Sequence, residues 1–157
     1  MPTYCGTLIA KYSEQLRCIS RMGIKGGGQV GPDQNMKRIL VVDDEQMLLQ
    51  GFDKALQTAV TKVTTVETGE AALSEIASSH FHLCFLDVFL PGMDGTEVLK
   101  RIKVISPKTK VIMMTAGIIN DAMTETIEKN AHMFITKPFD LLQVKMLAKS
   151  AIEEPAL

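Results

Sequence analysis

Residues 39–45 read Ile-Leu-Val-Val-Asp-Asp-Glu, a short apolar run that ends in three consecutive acids. Four apolar residues are too few for a core helix and are typical of a strand that is buried on both faces. Apolar residues then recur at helical spacing from about Glu45, and one face of this predicted helix carries Leu48, Leu49, Phe52 and Leu56. The segment therefore predicts a strand followed by an amphipathic helix.

The same alternation repeats four more times towards the C-terminus. The predicted strands cover residues 39–42, 63–66, 82–86, 111–114 and 133–136. The predicted helices begin near residues 45, 71, 94, 120 and 140, and Asp140 with Gln143 resembles a capping box at the last of them. Five strands that alternate with five helices predict an α/β fold, a doubly wound parallel sheet covered on both faces. Strands 1, 3 and 4 are apolar throughout and are expected at its centre.

Composition places the chain among single globular domains. It has 157 residues, of which 46% are apolar and 22% are charged, and a formal net charge of -1. This charge gives no reason to expect nucleic-acid binding, and no apolar stretch is long enough to cross a bilayer. Cys5, Cys18 and Cys84 do not have the spacing of a metal or redox site, which fits the reducing cytoplasm. We expect Cys84 to be buried as a small apolar residue.

Residues 1–36 differ from the rest of the chain. They contain an apolar stripe at helical spacing, made of Leu8, Ile9, Tyr12, Leu16, Ile19 and Met22. A glycine-rich stretch follows at Gly26-Gly27-Gly28 and Gly31-Pro32, which is typical of a linker. We interpret residues 1–36 as a flexible extension, disordered or loosely docked, with an interaction helix and a transit peptide as alternatives. The regular pattern occupies residues 37–153, and residues 154–157 form a short tail.

Reactive side chains follow four of the five predicted strands. Strand 1 ends at Asp43 and Asp44, strand 3 at Asp87, strand 4 at Thr115 and strand 5 at Lys137. Parallel strands bring their carboxyl ends to one edge of the sheet, where open α/β sheets bind ligands. A single aspartate at such a place often only caps the next helix. Four strands that deliver acids, a hydroxyl and an ammonium to one edge predict a site.

The chemistry of this set is consistent with phosphoryl transfer. Clustered carboxylates repel one another and favour a hard divalent cation, and Mg²⁺ suits Asp44, Asp87 and a backbone carbonyl near Phe89. With that charge neutralised, a carboxylate can attack phosphorus and form an aspartyl phosphate. The Lys137 ammonium can then balance charge on the transferring oxygens, and the Thr115 hydroxyl can bond the phosphoryl group.

Four segments together resemble the receiver domain of two-component response regulators. They are ILVVDDE at 39–45, LDVFLPGMDG at 86–95, MTA at 114–116 and TKPF at 136–139. The resemblance runs from about Lys37 to Ile152. It implies a flavodoxin-like sheet with strand order 2-1-3-4-5, as in single-domain chemotaxis receivers.

The resemblance also implies roles for the acids. Asp87 is similar to the phosphoacceptor, and Asp43 and Asp44 to the acidic pair that binds Mg²⁺. Asp87 and the backbone carbonyl of Phe89 would complete the metal ligands.

Further roles follow for the residues on strands 4 and 5. Thr115 and Lys137 resemble the catalytic hydroxyl and the phosphate-binding lysine. Thr115 and Phe134 resemble the pair that switches conformation, although a phenylalanine on a strand is often only core. Pro138 resembles a position that follows a cis peptide bond in the family.

These resemblances predict a cytoplasmic phosphorelay protein that accepts a phosphoryl group from a sensor histidine kinase or a histidine phosphotransfer protein. It would catalyse only its own phosphotransfer and dephosphorylation. Nothing that resembles an output domain follows the last helix, so we expect output through a protein partner, without direct nucleic-acid contact or membrane insertion. The expected surface is helix 4, strand 5 and helix 5, with Ile118, Ile119 and Met123 as candidate contacts that could equally be core.

Three other functions compete with this interpretation. A phosphatase that forms an aspartyl phosphate usually needs a second acid two residues after the nucleophile, where this chain has Phe89. A degenerate receiver that only binds partners is disfavoured by the intact Asp87 and Lys137. A flavin-binding domain would need a phosphate loop after strand 1, where Asp43 and Asp44 would instead repel phosphate.

Overall fold

The computed structural model describes residues 36–153. The predicted extension, apart from Met36, and the predicted tail at residues 154–157 lie outside this range. The five strands of the described part are β1 (Lys37–Val42), β2 (Thr61–Val66), β3 (Leu83–Asp87), β4 (Lys110–Thr115) and β5 (Met133–Thr136). Its five helices are α1 (Gln46–Leu56), α2 (Gly69–Ser78), α3 (Gly95–Ile105), α4 (Asp121–Asn130) and α5 (Leu141–Glu153).

The strands form one parallel sheet in the order β2-β1-β3-β4-β5. This confirms the predicted fold class and strand order. The register pairs Val42 of β1 with Leu86 of β3, and Asp87 of β3 with Met114 of β4. The carboxyl ends of β1, β3 and β4 therefore lie side by side.

The core confirms the prediction that strands 1, 3 and 4 are central. All five residues of β3 are buried, as are the last four residues of β1 and the last five of β4. Phe52 of α1 meets Phe85 of β3 edge to face, with ring centroids 5.0 Å apart. Cys84 is fully buried, as predicted, and burial raises the pKa of its thiol. This cysteine is therefore part of the core and an unreactive thiol.

The helices cover both faces of the sheet. α1 packs beside α5 on one face, while α2, α3 and α4 lie side by side on the other. Two helix caps have their hydrogen bonds: the Asp94 carboxylate accepts one from the Thr96 backbone N–H at 2.7 Å, and the Asp140 carboxylate of the predicted capping box accepts one from the Gln143 backbone N–H, also at 2.7 Å. Predicted element boundaries differ from the structure by about two residues at most, because hydrophobic periodicity does not define where an element ends.

None of the helices within residues 36–153 combines the length and the apolar character that a bilayer crossing requires.

Candidate phosphoryl-acceptor site

Three acids meet at the carboxyl edge of the sheet. Asp43 and Asp44 follow β1, Asp87 ends β3, and each offers a carboxylate oxygen within 4.8 Å of the other two. Asp43 and Asp87 are buried, whereas Asp44 is exposed to solvent. The structure thus brings the three predicted acids together, and a set of hard oxygen donors with one open side fits Mg²⁺, which keeps several waters when bound.

Lys137 joins the acids from the loop after β5. Its Nζ donates hydrogen bonds to Asp43 Oδ2 at 2.7 Å, to Asp87 Oδ2 at 2.8 Å and to Glu45 Oε1 at 3.3 Å. The side chain of Lys137 is only 10% exposed. The predicted ammonium therefore lies between the two buried carboxylates, and the contact with Glu45 is one that the sequence had not indicated.

Burial and charge oppose each other in this cluster. Burial raises the pKa of Asp43, and the hydrogen bonds from Lys137 and from the Glu45 N–H only partly offset this. Burial also lowers the pKa of Lys137, but the hydrogen bonds to Asp43 and Asp87 outweigh it, so the pKa lies above its ordinary value. Lys137 is therefore a fixed positive charge near neutral pH, and one ammonium faces three carboxyl groups.

The backbone fixes the direction of the two buried acids. Asp87 Oδ1 accepts a hydrogen bond from the Phe89 N–H at 2.9 Å, and Asp43 Oδ1 accepts one from the Glu45 N–H at 2.9 Å. In both residues Oδ2 is left to contact Lys137. The hydrogen bond from Phe89 holds its backbone next to Asp87, as a carbonyl ligand at this position requires.

The hydroxyl of Thr115 points to its own loop in this structure. Thr115 ends β4 and is 2% exposed. Its Oγ1 accepts a hydrogen bond from the Gly117 N–H at 3.1 Å and lies 3.4 Å from the Gly117 carbonyl. The sheet places Thr115 one strand away from Asp87, but the hydrogen bonds of its hydroxyl are made with Gly117.

The Phe89 ring lies over Gly117. A Cβ at Gly117 would come within 2.6 Å of the ring, so only glycine leaves room for it. Phe89 remains 44% exposed, because the ring covers the loop rather than entering the core. The sequence indicated Phe89 for its backbone carbonyl and as the position where a phosphatase carries a second acid. Its contact with Gly117 was missed because that contact depends on the conformation of two loops.

The remaining site positions lie on and after β5. Phe134 pairs in register with Met113 of β4 and is 4% exposed. Its ring is therefore already inside the protein in this structure. The Lys137–Pro138 peptide bond is cis, as the resemblance implied.

Gly95 allows α3 to start directly against the end of β3. A Cβ at this position would lie 2.0 Å from the Asp87 carbonyl oxygen and 2.8 Å from the Val88 carbonyl oxygen. Both are backbone atoms that cannot turn away. We expect Gly95→Ala to lower the free energy of unfolding by about 3 kcal/mol, at the upper end for overpacking. Chemical denaturation followed by circular dichroism measures the loss.

Gly51 offers a matched control within α1. A Cβ there would meet only Leu141 Cδ2, at an ordinary 3.7 Å. Because glycine weakens a helix interior, Gly51→Ala should raise the free energy of unfolding by up to about 1 kcal/mol. Equal effects of the two substitutions would contradict the close approach of α3 to β3.

Comparison with known proteins agrees with this geometry. The family described as response regulator receiver domain matches residues 39–149. The DNA-binding transcriptional regulator NtrC of Salmonella typhimurium is 35% identical over 114 residues, which cover 73% of this chain and 24% of NtrC. The chain thus spans about a quarter of the length of that relative.

Two solved structures share the fold over nearly their whole length. A CheY-like receiver domain protein of Methanospirillum hungatei is 28% identical with a TM-score of 0.71, covering 75% of this chain and 94% of that one. The BeF3-activated receiver domain of DrrB, from Thermotoga maritima, is 33% identical with a TM-score of 0.67, covering 76% and 99% respectively. The family match extends over most of the described residues, and these folds agree with it. The chain therefore belongs to the response regulator receiver domain family of two-component signalling.

Proposed function

We propose that this chain accepts a phosphoryl group on Asp87, with Mg²⁺, and passes the signal to a protein partner by changing shape. The donor is a sensor histidine kinase or a histidine phosphotransfer protein. One observation carries the proposal: the Lys137 ammonium lies 2.7 Å from Asp43 and 2.8 Å from Asp87 at the ends of adjacent strands. The acceptor, the acids that would bind Mg²⁺ and the cation that balances their charge thus lie together before any phosphoryl group arrives.

Asp87 is the acceptor because of its place in the sheet. It ends β3, between the acids that follow β1 and Thr115 at the end of β4. A carboxylate oxygen of Asp87 attacks phosphorus, the bond from phosphorus to the donor histidine breaks, and the imidazole leaves with a proton from solvent. Lys137 is within reach of the charge that develops on the phosphoryl oxygens.

Asp43, Asp44, Asp87 and the backbone carbonyl of Phe89 would hold Mg²⁺. When bound, the ion neutralises the clustered carboxylates and the phosphoryl oxygens. The chain itself contributes the rigid strand ends and the hydrogen bonds from the Glu45 and Phe89 N–H groups that aim the carboxylates.

Asp44→Asn tests the metal site. Asp44 is the exposed acid of the three, so its loss should remove a metal ligand with little effect on the core. We expect Mg²⁺ affinity to fall at least about tenfold, equivalent to about 1.4 kcal/mol. The chain contains no tryptophan, so titration is followed by amide NMR or calorimetry.

Asp53→Asn is the matched control, because Asp53 is also exposed but lies within α1. It should bind Mg²⁺ as the unchanged protein does. If Asp44→Asn also bound Mg²⁺ with unchanged affinity, the metal would lie elsewhere.

The signal is proposed to leave through α4, β5 and α5. A phosphoryl group on Asp87 would draw the Thr115 hydroxyl away from Gly117, and this would fix Phe134 in its inward position. Ile118 is 95% exposed and suits a partner contact, whereas Ile119 is buried and belongs to the core. A phosphoryl group would thereby bias a surface with two states.

Beryllofluoride, which mimics an acyl phosphate, tests this route. With Mg²⁺, it should change amide NMR shifts in α4, β5 and α5 as well as around Asp87. The same addition to Asp87→Ala should leave the spectrum unchanged, since the acceptor is gone. Shifts confined to the loops around Asp87 would contradict the proposed output surface and leave the acceptor standing.

We also propose the division of the chain into an extension (1–36), a receiver domain (37–153) and a tail (154–157). The receiver would act in the cytoplasm, without membrane insertion or direct nucleic-acid contact. It would turn over only its own phosphoryl group, since Phe89 stands where a phosphatase would carry a second acid.

A further inference from the structure

Phe89 contacts both the proposed acceptor and the loop after β4. Its backbone N–H donates a hydrogen bond to Asp87 Oδ1 at 2.9 Å, while its ring lies over Gly117. The side chain is 44% exposed, whereas the preceding residue, Val88, is fully buried. Phe89 therefore connects the loop that follows the acceptor on β3 with the loop that follows Thr115 on β4.

The ring of Phe89, and not the backbone, is what requires glycine at position 117. Within residues 36–153 the glycine with a positive φ is Gly92, at 83°, so no left-handed backbone accounts for Gly117. A Cβ at Gly117 would instead lie 2.6 Å from Cε2, 3.2 Å from Cδ2 and 3.3 Å from Cζ of Phe89. The absence of a side chain at Gly117 thus lets the ring pack directly on the main chain of this loop.

Gly117 in turn holds the hydroxyl of Thr115. The Gly117 N–H donates a hydrogen bond to Thr115 Oγ1 at 3.1 Å, and the Gly117 carbonyl oxygen lies 3.4 Å from the same hydroxyl. A phosphoryl group on Asp87 has to compete with both of these partners for the hydroxyl. While the ring of Phe89 keeps the Gly117 peptide in place, both partners stay within reach of Thr115. The ring therefore acts on Thr115 through Gly117.

We propose that Phe89 is a positioning residue whose ring, packed on Gly117, keeps the Thr115 hydroxyl on its own loop until Asp87 carries a phosphoryl group. This role rests on the proposed function, because it concerns the hydroxyl that is proposed to turn towards the phosphoryl group. Removing the Phe89–Gly117 contact raises the population in which the hydroxyl is free to turn. A mimic of the phosphoryl group then binds more tightly, because the conformation that it selects is already more populated.

Two substitutions in the full chain remove the contact from opposite sides. Phe89→Leu keeps an apolar side chain without a ring, and Gly117→Ala pushes the ring away, which an exposed side chain tolerates. Without Mg²⁺ or beryllofluoride, we expect amide NMR signals of α4 and β5 in both variants to shift towards the positions that they take in the unchanged protein with Mg²⁺ and beryllofluoride. A purely structural role of the ring would shift signals near the substitution, but not in this direction.

Titration with beryllofluoride in Mg²⁺ measures the same change as an affinity. Each variant should bind about fivefold more tightly than the unchanged protein, equivalent to about 1 kcal/mol. The double variant should gain no more than either single one, because both substitutions remove one contact. Val104→Ala is the control, since it shortens an apolar side chain on α3 that is 83% exposed, and it should bind as the unchanged protein does.

The outcomes separate this role of Phe89 from the proposed function. If beryllofluoride changes α4 and β5 in the unchanged protein, but both variants keep its signals and its affinity, the Phe89–Gly117 contact has no part in the response and the proposal is overturned. Weaker binding by the variants, or additive gains that reach about 25-fold in the double variant, would overturn it as well. If beryllofluoride leaves the unchanged protein as it was, the proposed function itself fails, and the role of Phe89 with it.

Discussion

Replacing Lys137 by alanine is expected to lower the free energy of unfolding by about 3 kcal/mol in the absence of divalent cations. The substitution leaves Asp43 and Asp87 buried, close together and without the ammonium that now contacts both at 2.7 and 2.8 Å. Removing one partner of a buried ion pair costs more than the pair contributes, because the remaining charge stays desolvated. Chemical denaturation in the presence of a chelator measures the loss.

Mg²⁺ should return most of that stability, since a divalent cation can replace the missing positive charge between the acids. The phosphorylation rate should not return with it. Losing one group that stabilises the developing charge typically costs about 10²–10³ in rate. We therefore expect a folded protein in Mg²⁺ that acquires its phosphoryl group far more slowly and does not transmit the signal.

Lys129→Ala is the control for this substitution. Lys129 forms an ion pair with Glu125 on α4 at 2.6 Å, but its side chain is 69% exposed. An exposed pair of this kind contributes less than about 0.5 kcal/mol. If Lys137→Ala were unfolded even in Mg²⁺, the main part played by Lys137 would be structural.

The sheet and the residues at its carboxyl edge were predictable because both depend on short stretches of sequence. β1, β3, β4 and β5 are short apolar runs, and the reactive residue that each delivers either ends the strand or follows it directly, as Asp87 ends β3. Parallel topology then brings those residues to one edge without any knowledge of the loops. A cap such as Asp140 is equally local, since it depends on a residue three positions away.

The finer geometry depends on how loops meet, which periodicity does not encode. The contact of the Phe89 ring with Gly117 joins the loops after β3 and β4, and the third contact of Lys137, with Glu45, joins the loops after β5 and β1. In the sequence Gly95 stands out only as the last residue of the LDVFLPGMDG segment. Its closeness to the Asp87 carbonyl follows from the approach of α3.

Asp87 is the acceptor in the proposed function, and phosphorylation by acetyl phosphate in Mg²⁺ tests this assignment. Intact-mass spectrometry should show one added phosphoryl group on the unchanged protein and on Asp53→Asn, whose aspartate is exposed on α1. Asp87→Ala should gain none, because within residues 36–153 Asp87 is the carboxylate that ends the strand between the acids after β1 and Thr115 and that contacts Lys137. Stoichiometric labelling that survives Asp87→Ala would show that the phosphoryl group is accepted elsewhere.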